Sequence, residues 1–497
     1  MKKIKRLMIA NRGEITCRIA ATCRAMNIDV VTVFAEDDRD LPHARVGDVA
    51  ILLEGKNLSE TYLNIEKLIA AAKAAKADAI HPGYGFLSEN AKFAEAVKKA
   101  GLIFVGPPAE VIARMGDKAE SRIMCQKIGV PTVPGYDGDA TDTKTLTKEA
   151  EKIGYPVLVK AAAGGGGKGM RIVHNAKDLP AALDSARSEA KNAFGDDRLI
   201  MEKYLTEPRH IEVQVFSDTH GNHLHLFERE CSIQRRYQKI VEESPSPRMD
   251  DATRKAMTEC ATKITSHIGY VGAGTVEFIM NSDGNFYFLE MNTRLQVEHP
   301  VTEMVVGLDL VRLQIEVAEG AKLPISQKDV KQHGHAIEVR LYAEDTEKEF
   351  MPAPGTLSSF ALPHLPHVRC ENGYTSGNTI SASYDPMIAK IAAWGINRDE
   401  AINRMLNALK QLRISGTTNN RDFLMRVLDH AAFRKGITTT DFINKHKKEL
   451  MAHELDNDAL ARLAAGYMLF GVSTAASNET SETEHSAWNN PRLAGMR

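Results

Sequence analysis

Apolar runs alternate with amphipathic stretches over the first hundred residues. Four runs have the length and composition of buried strands: LMIAN (7–11), VVTVF (30–34), DAIHP (78–82) and LIFVG (102–106). Between them, the spacing of apolar positions predicts helices near 14–26, 61–75 and 89–100. Strands that alternate with helices of this length predict a parallel sheet with helical crossovers, so we expect an α/β domain over residues 1–114.

The pattern changes near residue 115, where apolar runs begin to follow one another directly. These runs are YPVLVKA (155–161), RLIMEKY (198–204), HIEVQVF (210–216), HLHLFE (223–228), TVEFIM (275–280) and FYFLEMN (286–292). Strands that follow one another, mixed with helices, predict an α+β domain over residues 115–330 that ends in a linker at 320–329. We expect a third domain over 331–447, closed by helices, and then an amphipathic helix with a polar tail over 448–497.

The composition is that of a soluble multidomain protein. The 497 residues are 43% hydrophobic and 26% charged, with a net charge of -2, which offers no basic field for nucleic acid. None of the six cysteines forms a Cys-x-x-Cys pair, which argues against a zinc site and a disulfide framework. No run is long enough for a membrane span, so we predict a cytoplasmic protein without membrane or nucleic-acid partners.

Five glycines lie between positions 164 and 169 in the stretch VLVKAAAGGGGKGMRIV (157–173). The Walker phosphate loop is not matched, since Gly169 follows Lys168 where Ser or Thr is required. The dinucleotide pattern G-x-G-x-x-G is met formally, but a strand follows it instead of a helix. We therefore predict a hairpin flap whose backbone N–H groups cover phosphate, with Lys160 adding charge; an ordinary flexible hairpin is the alternative.

A second hairpin is predicted in TVEFIMNSDGNFYFLEMN (275–292), with a two-residue turn at Asp283-Gly284. That turn sets Glu277 opposite Glu290, and carboxylates about 5 Å apart repel by roughly 3 kcal/mol at an effective dielectric of about 20. Asn292 shares the strand face of Glu290. Oxygen ligands of this kind favour Mg²⁺ or Mn²⁺, although two solvent-facing glutamates would also explain the pattern.

Two further stretches carry charges suited to anion chemistry. In RLQVEHP (294–300), Arg294 offers a planar fork for an oxyanion and Glu298 a carboxylate that can accept a proton. A surface salt bridge between the two explains this pair equally well. In ECSIQRRYQK (230–239), the basic cluster of Arg235, Arg236 and Lys239 is either an anion site or a solvated face.

These motifs, taken together, resemble the biotin carboxylase family of the ATP-grasp superfamily, over about residues 3–447. The residues that carry the resemblance are ANRGEI (10–15), HPGYGFLSEN (81–90), GDK (116–118), KAAAGGGGKGM (160–170), EKYL (202–205), ECSIQRRYQK (230–239), EMNTRLQVEHPVTE (290–303), GHAIEVRLYAED (334–345) and YDPMIAK (384–390). The chain looks most like the biotin-carboxylating subunits of acyl-CoA carboxylases of the methylcrotonyl- or propionyl-CoA type. The resemblance implies an ATP-grasp domain with a glycine-rich lid near 132–204, between N- and C-terminal biotin carboxylase domains.

The resemblance also implies roles for individual residues. ATP phosphates would be held by Lys118, Lys160 and flap glycines including Gly166 and Gly167. The rest of the nucleotide would be held by Glu202, Lys203, Tyr204, Leu205, His210 and Gln234. Magnesium would be bound by Glu277, Glu290 and Asn292. Bicarbonate would be bound by Lys239, Arg294, Gln296 and Val297, with Glu298 as the base and Arg340 stabilising the biotin enolate. One position departs from the family, because Tyr237 stands where histidine is usual.

The implied reaction is ATP-dependent activation of bicarbonate to carboxyphosphate, followed by carboxylation of biotin. In this family biotin is attached to the lysine of a Met-Lys-Met motif, and no Met-Lys-Met occurs in the sequence. We therefore expect biotin on a carrier supplied from elsewhere, and a separate carboxyltransferase subunit. We also expect a homo-oligomer. The tail is predicted to form the front edge of a carrier-contacting domain, and a disordered C-terminal extension on a stand-alone biotin carboxylase is the alternative. A pyruvate-carboxylase-type subunit, another ATP-grasp ligase and a non-catalytic scaffold are the alternatives.

Overall fold

The structure, a computed structural model, describes residues 3–136, 142–162 and 170–451. The core of the flap, with Gly166 and Gly167, and the predicted helix and tail after 451 lie outside the described residues. The described part of the chain belongs to a single compact unit that ends at Met451.

The N-terminal region is a parallel sheet flanked by helices, as the alternating pattern predicts. Its strands are β1 (Arg6–Ile9), β2 (Asp29–Phe34), β3 (Val49–Leu52), β4 (Ala79–His81) and β5 (Ile103–Phe104), in the order β3-β2-β1-β4-β5. Its helices are α1 (Glu14–Ala25), α2 (Ile65–Ala74), α3 (Ala91–Lys99) and α4 (Ala109–Gly116). Asparagine caps begin two of them, since the side chains of Asn64 and Asn90 accept the N–H groups of Lys67 and Phe93.

The next region contains a four-stranded antiparallel sheet with helices beside it. The strands are β6 (Gly135–Tyr136), β7 (Val157–Ala161), β8 (Arg171–Val173) and β9 (Leu199–Lys203). The helices are α5 (Lys118–Lys127), α6 (Thr143–Ile153) and α7 (Leu179–Phe194). Strands β7 and β8 pair antiparallel from Val157 opposite Val173, so the predicted hairpin on either side of the glycines is confirmed.

An antiparallel eight-stranded sheet forms the centre of the structure, in the order β14-β13-β10-β11-β12-β15-β22-β20. Five of its strands precede residue 330: β10 (Arg209–Ser217), β11 (His223–Arg235), β12 (Gln238–Ser244), β13 (Gly272–Met280) and β14 (Phe286–Asn292). Three follow it: β15 (His335–Tyr342), β20 (Val368–Asn372) and β22 (Met387–Gly395). The sheet therefore continues across the predicted domain boundary, through the pairing of β12 with β15.

Helices and short strands surround this sheet. The helices are α8 (Asp251–Ile268), α9 (His299–Val306), α10 (Leu310–Ala318), α11 (Arg398–Gln411), α12 (Arg421–Asp429), α13 (Ala431–Arg434), α14 (Phe442–Lys445) and α15 (Lys447–Met451). The short strands are β16 (Glu344–Asp345), β17 (Met351–Pro352), β18 (Gly355–Thr356), β19 (Ser359–Ala361), β21 (Thr379–Ile380) and β23 (Arg413–Ser415). None of the described helices combines the length and the apolarity that crossing a bilayer requires.

The β13–β14 hairpin places Glu277 opposite Glu290, as predicted, but through a different turn. Asn281 and Asn285 close a three-residue loop in which Gly284 has a φ of 84°, so the predicted two-residue turn is wrong. The longer loop shifts the register by one residue. A bulge at Leu289 shifts it back, because Phe278 pairs with Phe288 and the next residue, Glu277, pairs with Glu290.

Candidate active site

A cavity of ≈ 850 Å³ opens between the N-terminal sheet, the four-stranded sheet and the eight-stranded sheet. Nearly all of the predicted site residues that the structure describes line it: Lys118, Lys160, Glu202, Lys203, Tyr204, Leu205, His210, Gln234, Lys239, Glu277, Glu290, Asn292, Arg294, Gln296, Val297 and Arg340. The exception is Glu298, which is fully buried behind the wall. Motifs separated by more than two hundred residues thus share one cavity.

The opposed carboxylates of Glu277 and Glu290 are neutralised from different sides. Glu290 Oε2 lies 2.8 Å from Lys118 Nζ, at the start of α5. Glu277 lies 2.8 Å from His210 Nε2 and 2.9 Å from Lys239 Nζ. Burial alone raises the pKa of Glu277, but Lys239 and His210 outweigh it and hold that pKa below its ordinary value. Glu277 is only 4% exposed, so the alternative of two solvent-facing glutamates is wrong.

The donor set at this hairpin fits a hard divalent cation. Glu277 and Glu290 bring carboxylate oxygens to one wall of the cavity, and Glu290 is 30% exposed toward it. The third predicted ligand, Asn292, donates to Glu277 Oε1 over 2.8 Å, and its amide oxygen accepts from Arg294 Nη2 over 3.0 Å. Asn292 therefore connects the carboxylate pair to the predicted bicarbonate arginine.

Replacing Glu290 by glutamine is expected to raise the Mg²⁺ concentration needed for half-maximal ATP cleavage by about tenfold or more, with little loss of stability. The variant removes one carboxylate of the predicted metal site but also relieves the repulsion from Glu277. Activity over a Mg²⁺ titration, beside thermal melts, measures the two effects separately. An unchanged Mg²⁺ requirement would contradict the assignment of the opposed carboxylates to the metal.

Five of the predicted nucleotide residues lie on or next to β7 and β9. Buried Lys160 forms an ion pair with Glu202, and Arg122 Nη1 lies 3.1 Å from the other oxygen of that carboxylate. Lys203 donates to the main-chain carbonyls of Gly154 and Tyr155 over 2.8 and 2.9 Å, so it supports the turn before β7. Tyr204 and Leu205 continue the wall beyond β9. These contacts hold β9 and the turn before β7 in place beside the Lys160 ammonium.

The basic cluster of the β11–β12 hairpin divides between two places. Lys239 faces the cavity, whereas Arg235 turns away to form an ion pair with Glu344 on β16. Arg236 and Tyr237 form the turn, with φ values of 47° and 64°. Tyr237 is 60% exposed and lines the mouth of the cavity. The solvated-face interpretation therefore applies to Arg236 at most, and the anion-site interpretation to Lys239.

His210 links this hairpin to the carboxylate pair. Gln234 Nε2 lies 2.9 Å from His210 Nδ1, and the opposite ring nitrogen lies 2.8 Å from Glu277 Oε2. If Gln234 donates to Nδ1, the Nε2 atom carries the proton and faces the carboxylate. His210 thus lies between Gln234 and Glu277, in addition to lining the predicted nucleotide site.

Arg294 is anchored by a residue to which the sequence assigned no role. Glu89, in the HPGYGFLSEN motif, accepts from Arg294 Nε over 2.8 Å. Arg294 Nη1 donates to Gln296 Oε1 over 3.0 Å, so the guanidinium also orients the neighbouring amide. Arg294 and Glu298 do not bind one another, and the simple salt bridge that was the alternative for this stretch is wrong.

Glu298 is held by two cations that separate it from the cavity. Its Oε1 lies 2.8 Å from Lys239 Nζ and its Oε2 lies 3.0 Å from Arg340 Nη2. Burial raises the pKa of Glu298, but Lys239, Arg340 and Arg229 outweigh it and hold that pKa well below the ordinary value. Arg340 Nε also donates to Glu242 Oε1 over 2.7 Å. Glu298 is thus ionised, and each of its oxygens is paired with one of these cations.

Several cavity-lining residues were missed because they lie far from the ATP-grasp motifs in sequence. They are Asn11, Arg12, Glu14, Tyr84, Phe86, Tyr374, Ser383, Tyr384, Asp385 and Met387. Asn11, Arg12, Glu14, Tyr84, Phe86, Tyr384, Asp385 and Met387 fall inside the motifs ANRGEI, HPGYGFLSEN and YDPMIAK, which were the available signal. Arg12 binds Asp38 and lies with its guanidinium carbon 4.1 Å from the centre of the Tyr384 ring. That contact joins the N-terminal and C-terminal walls.

Comparisons with known proteins agree with this arrangement. Three family models match in order: "Biotin carboxylase, N-terminal domain" over 3–112, "Carbamoyl-phosphate synthase L chain, ATP binding domain" over 117–326 and "Biotin carboxylase C-terminal domain" over 338–445. Biotin carboxylase 2 of Bacillus subtilis is 48% identical over 441 residues, which cover 89% of this chain and 99% of that protein.

Longer relatives match as well. The alpha subunit of mitochondrial methylcrotonoyl-CoA carboxylase from Dictyostelium discoideum is 45% identical over 100% of this chain, which spans 71% of that subunit. The chain spans only 66% of the corresponding rat subunit, at 47% identity. Among solved structures, the biotin carboxylase domain of Hydrogenobacter thermophilus 2-oxoglutarate carboxylase, a dimer bound to MgADP and bicarbonate, superposes with a TM-score of 0.89. It is 42% identical over 91% of this chain and 100% of that one.

Family matches along almost all of the described chain, high identity to full-length relatives and the geometry of the cavity lead to one assignment. The chain belongs to the biotin carboxylase family, whose members are ATP-dependent ligases that carboxylate biotin.

Proposed function

We propose that this chain carboxylates biotin on a separate carrier, using ATP and bicarbonate, as the first half-reaction of an acyl-CoA carboxylase. The observation that carries the proposal is the placement of Lys239. Its ammonium lies 2.9 Å from the predicted metal ligand Glu277 and 2.8 Å from the predicted base Glu298. A small anion bound here would lie between the phosphate end and the biotin end of one cavity.

At the phosphate end, Lys118 and Lys160 both line the cavity and supply positive charge. Phosphoryl transfer depends mainly on positioning and on neutralising charge, and both lysines lie on fixed elements, α5 and β7. When bound at Glu277 and Glu290, Mg²⁺ would screen the phosphate oxygens. The flap on either side of the glycines would exclude the water that destroys an activated intermediate.

At the bicarbonate end, an incoming anion would compete for Lys239 and Arg294. Lys239 binds Glu298, Glu277 and Glu212 in this structure, and a shift toward bicarbonate would release one oxygen of Glu298. Glu298 would then take the bicarbonate proton as the bicarbonate oxygen attacks the terminal phosphorus of ATP and ADP leaves. Gln296 and the backbone of Val297 would orient the anion.

At the biotin end, Arg340 would present its guanidinium to the ureido oxygen of biotin. Carboxyphosphate breaks to CO₂ and phosphate, the phosphate takes the N1 proton, and N1 attacks CO₂. Arg340 would stabilise the negative charge that develops on the ureido oxygen. It is 9% exposed, so this charge interaction is little screened by solvent.

The relatives support the further partners that we propose for this chain. Those relatives are subunits of carboxylases that act on acyl-CoA esters or 2-oxo acids, which supports a biotin carrier and a carboxyltransferase as partners of this chain. The dimeric neighbour supports a homo-oligomer. We keep cytoplasm as the proposed location, although several relatives are mitochondrial. A pyruvate- or 2-oxoglutarate-type carboxylase is the second candidate, favoured by the solved neighbours.

We expect ADP release to require both Mg²⁺ and bicarbonate, and to rise when free biotin is added. The measurement is ADP release by the purified protein in buffer stripped of CO₂, followed by a bicarbonate titration. An undiminished rate without bicarbonate would mean that another acceptor is phosphorylated, as in other ATP-grasp ligases. No ATP cleavage under any of these conditions would support the scaffold alternative.

A further inference from the structure

The motif YDPMIAK ends in a lysine that the proposed reaction does not use. Lys390, on β22, is 1% exposed and makes no wall of the cavity. Its Nζ donates to the main-chain carbonyl of Val297 over 2.7 Å. The same ammonium lies 3.0 Å from Glu371 Oε2 and 3.4 Å from Glu14 Oε1. One buried cation thus connects three segments that are distant in sequence.

The position of Lys390 is set by the sheet. Lys390 pairs with Arg340 on one side and with Glu371 on the other, and cross-strand partners point to the same face. Burial lowers the pKa of Lys390, but Glu14, Glu371 and Glu338 outweigh it and raise that pKa above its ordinary value. Lys390 is therefore an ammonium, and its hydrogen bond to Val297 is charge-assisted.

The contacts of Lys390 lead to two walls of the cavity. Val297 lies between Gln296, which lines the cavity, and the buried Glu298. Glu14 accepts a hydrogen bond from the hydroxyl of Tyr84, which lines the cavity from the N-terminal region. Fixing one carbonyl also fixes the plane of the peptide that follows it, including the N–H of Glu298. Lys390 consequently restrains both the Val297–Glu298 backbone and the carboxylate that orients Tyr84.

We propose that Lys390 is a positioning residue that holds the Val297 backbone and the Glu14–Tyr84 pair in the geometry that binds bicarbonate. The inference rests on the proposed function, because it assigns Lys390 to the bicarbonate end of that site. Lys390 itself does not touch substrate. Its removal therefore weakens bicarbonate binding and leaves the nucleotide end, built on β7 and β9, unaffected.

The test is steady-state ADP release with Lys390→Met, with bicarbonate and ATP varied in turn. A charge-assisted hydrogen bond contributes enough that its loss raises the KM for bicarbonate about tenfold or more. The KM for ATP stays within about twofold of the wild-type value, because Lys118 and Lys160 keep their partners. A merely structural lysine would lower the melting temperature without this selective change in KM.

A second variant guards against loss of folding, since Lys390→Met leaves buried Glu14 without its lysine partner and removes one of the cations around Glu371. Lys390→Arg keeps the charge and changes the shape of the donor. We expect this variant to fold and to raise the KM for bicarbonate by about two- to fivefold, less than Lys390→Met does. Arg398→Met is the matched control. Arg398 also binds a glutamate, Glu243, and a main-chain carbonyl, that of Arg434, but it lies outside the cavity wall.

The outcomes separate the inference from the proposed function. If wild-type protein shows no bicarbonate-dependent ATP cleavage, the proposed function fails and the inference fails with it. If the wild type is active and both folded Lys390 variants keep the wild-type KM for bicarbonate, only the inference is overturned. A rise in this KM for Arg398→Met equal to that for Lys390→Met would also overturn it.

Discussion

Replacing Arg340 by serine is expected to lower biotin carboxylation about 10²–10³-fold while bicarbonate-dependent ATP cleavage falls by less than about tenfold. The larger effect has the size usually seen when one donor to a developing oxyanion is removed. The smaller effect arises because Arg340 also binds Glu298, whose other oxygen keeps Lys239. Both rates are measured on one preparation, carboxybiotin from labelled bicarbonate and ADP by a coupled assay.

Arg235→Ser is the control for the Arg340 variant. Arg235 is an equally buried arginine on the same sheet, but its carboxylate partner is Glu344 and it lies outside the cavity wall. We expect the ratio of the two rates to stay at the wild-type value. Equal loss of both activities in the Arg340 variant would move Arg340 into the nucleotide or bicarbonate site.

Glu298→Gln is expected to lower bicarbonate-dependent ATP cleavage about 10²–10⁴-fold, the range for loss of a general base. Glutamine keeps the shape of the side chain, and its amide oxygen can still accept from one of the two cations. It cannot accept the bicarbonate proton. Single-turnover ADP formation at saturating bicarbonate measures this step without the contribution of product release.

A matched variant, Glu243→Gln, separates base loss from loss of a buried charge. Glu243 is buried and lies 2.7 Å from His335 and 2.6 Å from Arg398, away from the cavity. We expect it to lower thermal stability with at most a small effect on turnover. If Glu298→Gln retains wild-type turnover, the base must be another residue, and the placement of Glu298 behind Lys239 and Arg340 is structural.

The hydrophobic pattern was sufficient to predict elements that are buried on both faces and elements that are cleanly amphipathic. β1, β2 and α1 fall within a few residues of their predicted ranges, since each buries a continuous run or stripe. β3 was missed because VAIL is partly exposed and carries no alternation that distinguishes it from a loop. The hydrophobic pattern of a segment reflects the burial of its side chains, whereas β3 is defined by its pairing with β2.

The carboxylate pair was predicted through two differences that cancel. A longer loop and a bulge at Leu289 each shift the register by one residue, in opposite senses. Neither is visible in the sequence, because Asn-Ser-Asp-Gly-Asn is compatible with either loop length. Three contacts could not be predicted either, since each depends on which distant segments become neighbours. They are the ion pairs of Glu298 with Lys239 and Arg340, the hydrogen bond from Arg294 to Glu89 and that from Lys390 to the Val297 carbonyl.

The pairing of β12 with β15 has a consequence for how the chain can be divided. A fragment that stops near residue 330 would lose β15, β20 and β22 and expose the ladder edge of β12 to solvent and to other chains. It would also leave Glu242 and Glu298 without Arg340, and the Val297 carbonyl without Lys390. We therefore expect residues 3–330 to aggregate when produced alone. In the whole chain, we expect the segments matched by separate family models to unfold together, as one cooperative unit.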